Sequence, residues 1–184
     1  MLNTEIPDDV VESSTVHPMI IRPANATDWP EMWRIFQAVV ATGTTYAFAP
    51  DTSHDAAREY WFGPGIASWV VEDDGRVVGF YKLIANRRDL GSHVANASFM
   101  VDPLSHGRGI GEALGRHCLR ESKRAGYLSI QYNFVVSTNT AAVALWRKLG
   151  FEVVGTVPKA FRHHDCGLVD VYVMHRFLDD ITAD

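Results

Sequence analysis

The sequence predicts an α/β (α+β) fold in which a central mixed sheet has helices packed on its faces. Segments with strand-like and helix-like patterns follow one another in the order βααβββαβαββ, which is typical of this fold class. Apolar residues make up 47% of the 184 residues, enough for one sizeable core. Clusters of glycine, proline and aspartate separate the segments, as turns require.

The first half of the chain contains a strand, two helices and three further strands. Residues 19–21 are the first predicted strand. A helix is predicted over residues 29–41, because apolar residues recur there at spacings of three and four, and a shorter helix over residues 55–61. Residues 68–84 predict a hairpin around an Asp-Asp-Gly turn, and residues 93–101 a third strand of the same sheet.

The second half begins with a glycine-rich connection that leads into a helix over residues 110–125. A strand over residues 128–136, a helix over 139–149 and strands over 152–156 and 169–175 complete the chain. A glycine directly follows each of these two helices, which is a common C-terminal signal.

Composition limits the organisation of the chain and its partners. Residues 19–180 are expected to form a single domain. Residues 1–18 contain four acidic residues and no Lys or Arg, which predicts a flexible leader rather than a signal peptide. The net charge of −5 provides no general footprint for nucleic acid or a membrane, so a small soluble partner is favoured.

Cysteine content and hydropathy favour the cytoplasm. Cys118 and Cys166 are too few for a disulfide framework, which favours a reducing compartment. No segment approaches the roughly 20 apolar residues that span a bilayer. The stretch His163-His164-Asp165-Cys166 offers adjacent ligand types without a second cluster, so no metal is expected.

The most informative motif is the run His-Gly-Arg-Gly-Ile-Gly at residues 106–111, between a predicted strand and a predicted helix. Such glycines let consecutive N–H groups point into one concavity beside the positive end of the helix dipole, which predicts a pyrophosphate site. The spacing differs from a dinucleotide fingerprint, and no Gly-Lys pair of a P-loop occurs. The alternative is a turn that uses glycine only for its geometry.

This run, the preceding Val101-Asp102-Pro103, and Asn139 followed by Trp146 and Gly150-Phe151 together resemble the GCN5-related N-acetyltransferase (GNAT) family. The resemblance implies a mostly antiparallel central sheet with helices on both faces. It also implies acetyl-CoA as the cosubstrate, an acyltransferase activity and no metal. Because dimers are common among such domains, a homodimer is a further expectation by analogy.

The resemblance also assigns a cofactor site. The backbone around Phe99, Met100 and Val101 is expected to pair with the pantetheine arm, and an amide there is expected to polarise the thioester carbonyl. The pyrophosphate is expected to lie on the backbone of a loop in which Arg108 also offers charge, formed by His106, Gly107, Arg108, Gly109, Ile110, Gly111, Glu112 and Ala113.

Two positions farther along the chain complete this assignment. Asn139 matches an asparagine that reaches the pantetheine arm, and its alternative role is a helix N-cap. Trp146 stands where many family members have a tyrosine that protonates the departing thiolate. Because an indole N–H is not a practical acid, Trp146 is expected to line the pocket as a packing residue.

A narrower resemblance, in residues 132–151 and 157–161, is to the subgroup that acetylates proline analogues such as azetidine-2-carboxylate. Three asparagines support cofactor and substrate binding in that subgroup, and the matching positions are Asn96, Asn133 and Asn139. Asn96, Asn133 and Glu72 are the predicted catalytic organisers.

On the acceptor side, the hydroxyls of Thr45 and Tyr46, together with Asn133, are predicted to bind substrate. The alternative for Thr45 and Tyr46 is a turn with a half-buried tyrosine. The predicted reaction is direct attack of a small amino or imino acid amine on acetyl-CoA. The alternatives are acetylation of a protein N-terminus or lysine, and a sensor that binds acetyl-CoA without turnover. The sequence does not specify the acceptor, the general base, the proton donor or the oligomeric state.

Overall fold

A computed structural model of the protein describes residues 19–183, so the predicted leader at residues 1–18 lies outside the described residues. The described chain forms one seven-stranded sheet with strand order β1-β2-β3-β4-β5-β7-β6. The strands are β1 (Ile20–Pro23), β2 (Ala67–Asp73), β3 (Arg76–Ala85), β4 (Val94–Val101), β5 (Ser129–Val136), β6 (Glu152–His163) and β7 (Gly167–Phe177). All neighbouring strands are antiparallel except β4 and β5.

Four α-helices cover the two faces of the sheet: α1 (Trp29–Val40), α2 (His54–Phe62), α3 (Ile110–Arg124) and α4 (Thr140–Lys148). On one face, α1 and α2 pack against the sheet through buried side chains such as Phe36, Trp61 and Phe80. On the other face, α3 and α4 do so through residues such as Leu114 and Trp146. The predicted fold class and element order are therefore confirmed.

The C-terminal hairpin is longer than predicted. The sequence predicts strands over 152–156 and 169–175, whereas β6 and β7 extend to His163 and begin at Gly167. Pro158 cannot donate to a ladder, and the backbone of Lys159 has a positive φ of 53° within a register shift. Because β6 is an edge strand, it tolerates both irregularities.

The sheet opens between its two parallel strands. Only Val94 with Ser129 and Ala95 with Ile130 are paired between β4 and β5. Beyond Ala95 the strands diverge, and β5 has a register irregularity between Tyr132 and Val135 in its pairing with β7. The divergence leaves one edge of β4 without a neighbouring strand.

A close contact between α3 and α4 positions the helix beside this opening. A Cβ atom on Gly115 would lie 2.5 Å from Leu149 Cδ1 and 3.2 Å from Trp146 Cζ3. Glycine therefore allows the helices to approach and holds Trp146 against the sheet. Among the helices of residues 19–183, none has the length and apolar character needed to cross a membrane.

Candidate active site

A cavity of about 310 Å³ occupies the gap between β4 and β5. Its walls come from both strands, from the α1–α2 connection, from Tyr60 on α2, and from α4 with the residue before it. The lining residues are Thr45–Phe48, Tyr60, Asn96–Phe99, Tyr132–Val136, Asn139, Ala142 and Trp146. None of these side chains is charged, so within the described part of the chain the wall of the pocket is aromatic and neutral-polar.

The α1–α2 connection is bonded directly to the free edge of β4. The Tyr46 hydroxyl donates to the Phe99 carbonyl at 2.6 Å and accepts from the Phe99 N–H at 2.9 Å. Burial raises the pKa of Tyr46 well above its usual value, which keeps the hydroxyl protonated. Tyr46 thus lies in the pocket, but its hydroxyl bonds the backbone that the family resemblance assigns to the cofactor, and its binding of substrate stays a prediction.

The same connection is held from its other side by the C-terminal hairpin. The backbone N–H of His164, in the β6–β7 turn, donates to the Gly43 carbonyl at 3.0 Å. Gly43 has a positive φ of 60°, and the chain then continues into Thr45 and Tyr46 at the pocket. A segment distant in sequence therefore anchors the connection that supplies this part of the wall.

Two of the three glycines in the glycine loop take the left-handed backbone conformation, and the third lies in α3. Gly107 and Gly109 have positive φ values of 79° and 77°, and α3 begins at Ile110. The Ala113 N–H donates to the Gly109 carbonyl at 3.0 Å, so the first helical hydrogen bond uses this amide. The prediction that Ala113 binds pyrophosphate is therefore corrected, whereas the amides of Ile110, Gly111 and Glu112 have no intrahelical acceptor.

Most side chains of the glycine loop are engaged within the protein and are not free to hold a ligand. Arg108 pairs with Asp73, the last residue of β2, at 2.6 Å, and His106 is exposed. Lys148 and Arg116 bond the Glu112 carboxylate and lower its pKa. The Ile110 side chain is buried in the core. A ligand at this helix end would therefore contact mainly backbone N–H groups.

The structure brings the three predicted asparagines together at the pocket. Asn133 is already engaged at both ends of its amide, since its Nδ2 donates to Asn86 Oδ1 at 2.6 Å and its Oδ1 accepts from Gln131 Nε2 at 2.8 Å. Asn139 lines the pocket and also caps α4 by accepting from the Ala142 N–H at 3.2 Å. Asn96 also lines the pocket, and its side chain makes no hydrogen bond within residues 19–183.

Glu72 does not lie at this site. It is on β2, two strands away from β4, and its carboxylate accepts from Arg22 Nε at 3.0 Å. Arg22 also bonds Asp28 at 2.7 Å, so Glu72 belongs to an ion-pair network at the sheet edge. The prediction of a catalytic Glu72 is therefore corrected.

Trp146 is 7% exposed and lines the pocket. Its ring centre lies 4.7 Å from that of Phe99 and 4.8 Å from that of Tyr132. These contacts are those of a packing residue. The Tyr132 hydroxyl, in contrast, is buried without a hydrogen-bond partner among the described residues.

A family model described as "Acetyltransferase (GNAT) family" matches residues 29–151, which include β4, the glycine loop and α4. The chain belongs to the GNAT family. A GNAT structure from Kribbella flavida is 44% identical, with a TM-score of 0.83, over 86% of this chain and 97% of that one. A phosphinothricin acetyltransferase from Sinorhizobium meliloti, in complex with AcCoA, is 25% identical, with a TM-score of 0.78, over 90% and 91% of the two chains.

Among curated GNAT relatives, the L-amino acid N-acetyltransferase AaaT of Escherichia coli is 28% identical over 86% of this chain and 97% of its own. The mycothiol acetyltransferase of Mycolicibacterium vanbaalenii is 38% identical over 53% of this chain. The match covers only 33% of that protein, so the chain spans about a third of the length of such relatives.

The GNAT pocket has a second polar group that was not predicted from the sequence. The Tyr60 hydroxyl and Ser98 Oγ, both in the pocket wall, are 2.7 Å apart. Behind them, Lys82 Nζ donates to the Tyr60 carbonyl at 2.7 Å and lies 3.1 Å from the centre of the Tyr60 ring. The sequence feature that could have pointed to this group is the single lysine inside the apolar run of residues 77–84.

Among residues 19–183, no group of three His, Cys, Asp or Glu side chains could hold a metal.

Proposed function

We propose that this GNAT protein transfers the acetyl group of acetyl-CoA directly to the amine of a small amino or imino acid. The observation that carries the proposal is the uncharged cavity of about 310 Å³ between β4 and β5, with the glycine loop at the end of β4. A cavity of this size favours a small acceptor over a folded protein. The E. coli relative is named as an amino acid acetyltransferase, which supports the same class.

In the proposed reaction, the amine lone pair attacks the thioester carbonyl carbon. The new N–C bond forms, the C–S bond breaks, the amine loses a proton and the thiolate gains one. A thiol pKa of about 8.5 makes the thiolate a competent leaving group, so the proton can come from water. Trp146 would close the pocket around the thioester without donating a proton.

The backbone of Phe99 and the loop amides of Ile110, Gly111 and Glu112 would hold the two ends of the cofactor. A thioester oxygen at the Phe99 N–H would be stabilised as negative charge develops on it. Asn96 and Asn133 would orient the acceptor or a water beside it, since an amide carbonyl accepts hydrogen bonds but is a weak base. Thr45 is the remaining acceptor-side hydroxyl.

Several narrower expectations remain predictions. They are a proline analogue as the acceptor, a cytoplasmic location, a homodimer, and the lack of nucleic-acid, membrane and metal partners. Sedimentation of the purified protein would test the dimer directly.

The experiment that tests the proposal is CoA release with a panel of free amino acids, proline analogues and basic peptides. We expect turnover with free amino or imino acids. Turnover with peptides alone would replace the proposal by protein acetylation. Tight acetyl-CoA binding without turnover on the whole panel would favour a sensor.

A further inference from the structure

We propose that Lys82 is a specificity-determining residue whose buried charge selects acceptors with a carboxylate beside the amine. This inference rests on the proposed function and deepens it, since it names the group that distinguishes amino acids from simple amines. Lys82 does not line the cavity. Its charge would act electrostatically on the acceptor across the side chains of the pocket wall.

Lys82 is a buried cation without a counter-ion among the described residues. It is 5% exposed, and its ammonium contacts the Tyr60 carbonyl and the Tyr60 ring rather than a carboxylate. Burial is the cause that lowers its pKa to about 8, with no charged neighbour opposing it. An unpaired charge in this setting destabilises the fold, because lost hydration is not fully replaced.

The position of Lys82 places this charge one side chain away from the pocket. The β3–β4 register sets Lys82 opposite Ser98, so the two residues are cross-strand neighbours. Ser98 bonds the Tyr60 hydroxyl, and both residues line the cavity. The Tyr60 and Ser98 side chains therefore connect Lys82 to the cavity.

No side chain in the pocket wall carries a charge that competes with Lys82. Inside a protein a unit charge acts across several ångströms with far less screening than in water. An acceptor carboxylate bonded to the Ser98 and Tyr60 hydroxyls would be attracted by Lys82. Its amine would lose its proton more readily, because the same cation lowers the pKa of an ammonium group nearby.

This second effect matters because the pocket wall contains no Asp, Glu or His. A cation that lowers the pKa of the bound amine performs part of the task of a general base, since attack requires a free lone pair. Lys82 would then both recognise the acceptor and prepare it.

The test compares kcat/KM for an L-amino acid or azetidine-2-carboxylate with kcat/KM for its uncharged carboxamide. In Lys82→Met we expect a loss of about tenfold or more for the acid and less than about threefold for the carboxamide. Lys82→Arg should keep most of the preference for the acid, since it keeps the charge. Lys123→Met is the matched control, because Lys123 also donates to a backbone carbonyl, that of Leu178 at 3.0 Å, away from the pocket.

Equal losses for both acceptors in Lys82→Met would overturn the inference and leave Lys82 with packing alone. If that variant does not fold, product inhibition of the wild type decides the question. The N-acetyl amino acid should then inhibit at least about tenfold more strongly than its N-acetyl carboxamide, and equal inhibition would refute the idea. A wild type that acetylates no free amino or imino acid of the panel would refute the proposed function itself. Equal turnover of both would refute only the role of Lys82.

Discussion

The hydroxyl of Tyr46 bonds both backbone groups of Phe99, the N–H at 2.9 Å and the carbonyl at 2.6 Å. Phe99 lies where β4 has diverged from β5, so these two groups have no neighbouring strand to bond. A side chain from the α1–α2 connection takes the place of that strand. A cofactor that pairs with β4 would have to displace this hydroxyl.

Tyr46→Phe is therefore expected to bind acetyl-CoA about three- to tenfold more tightly, because it removes a competitor for hydrogen bonds worth about 1 kcal/mol each. The free protein should become less stable, since the Phe99 groups lose their partner. Calorimetric titration and thermal unfolding would measure the two effects. Tyr127→Phe is the control, because Tyr127 does not line the pocket. Weaker binding by Tyr46→Phe would instead make the hydroxyl part of the cofactor site.

Gly109→Ala should weaken acetyl-CoA binding by about tenfold or more, because a side chain disfavours the positive φ of 77° that orients the loop amides. Gly126→Ala is a matched control with a φ of 83°, and an added Cβ meets open space at both positions. Both variants should lose about 1 kcal/mol of stability, but only Gly109→Ala should raise the Kd. Equal Kd values for the two variants would argue against a cofactor at this loop.

Trp146→Phe should keep kcat within about tenfold of the wild type, because the indole packs against Phe99 and Tyr132 without donating a proton. The smaller ring should lower the free energy of unfolding by about 1–3 kcal/mol. Steady-state kinetics and urea unfolding would measure both. A decrease in kcat beyond about 100-fold would give Trp146 a direct part in the reaction.

The pKa of Lys82 falls from its usual 10.5 to about 8 on folding. Between these values the unfolded chain holds a proton that the folded chain releases, so the contribution of Lys82 to stability rises with pH. Below pH 8 both states are protonated, and the buried charge costs about 3 kcal/mol. The free energy of unfolding of the wild type minus that of Lys82→Met should therefore increase from pH 8 to 10.5. If the difference between the two free energies of unfolding does not change with pH, the Lys82 ammonium is well solvated in the folded protein.

The order of the elements was predictable because it depends on local signals, namely apolar spacing and the glycines at turns. The predicted pyrophosphate-binding stretch extends one residue too far, to Ala113. Nothing in the sequence marks the Ala113 N–H as the first donor of a helical hydrogen bond. The extension of β6 across Pro158 was missed, because a proline ends most strands and only the sheet order reveals an edge.

Residues of the pocket were predictable where they lie on the motifs themselves, and not where distant segments meet. Glu72 was misplaced because its partner Arg22 lies 50 residues earlier in the chain, on a strand whose neighbours the sequence does not specify. Lys82 was an anomaly in an apolar run, but its contact with Tyr60 on α2 appears only in the folded chain.

The hydrogen bond from His164 to Gly43 joins the wall of the pocket to a hairpin outside the family model, which ends at residue 151. Every residue that lines the pocket lies inside that model, so the β6–β7 turn contacts the site through the α1–α2 connection. An exchange of the β6–β7 turn would therefore reach the pocket by shifting the backbone at Gly43, without replacing any side chain that lines the cavity.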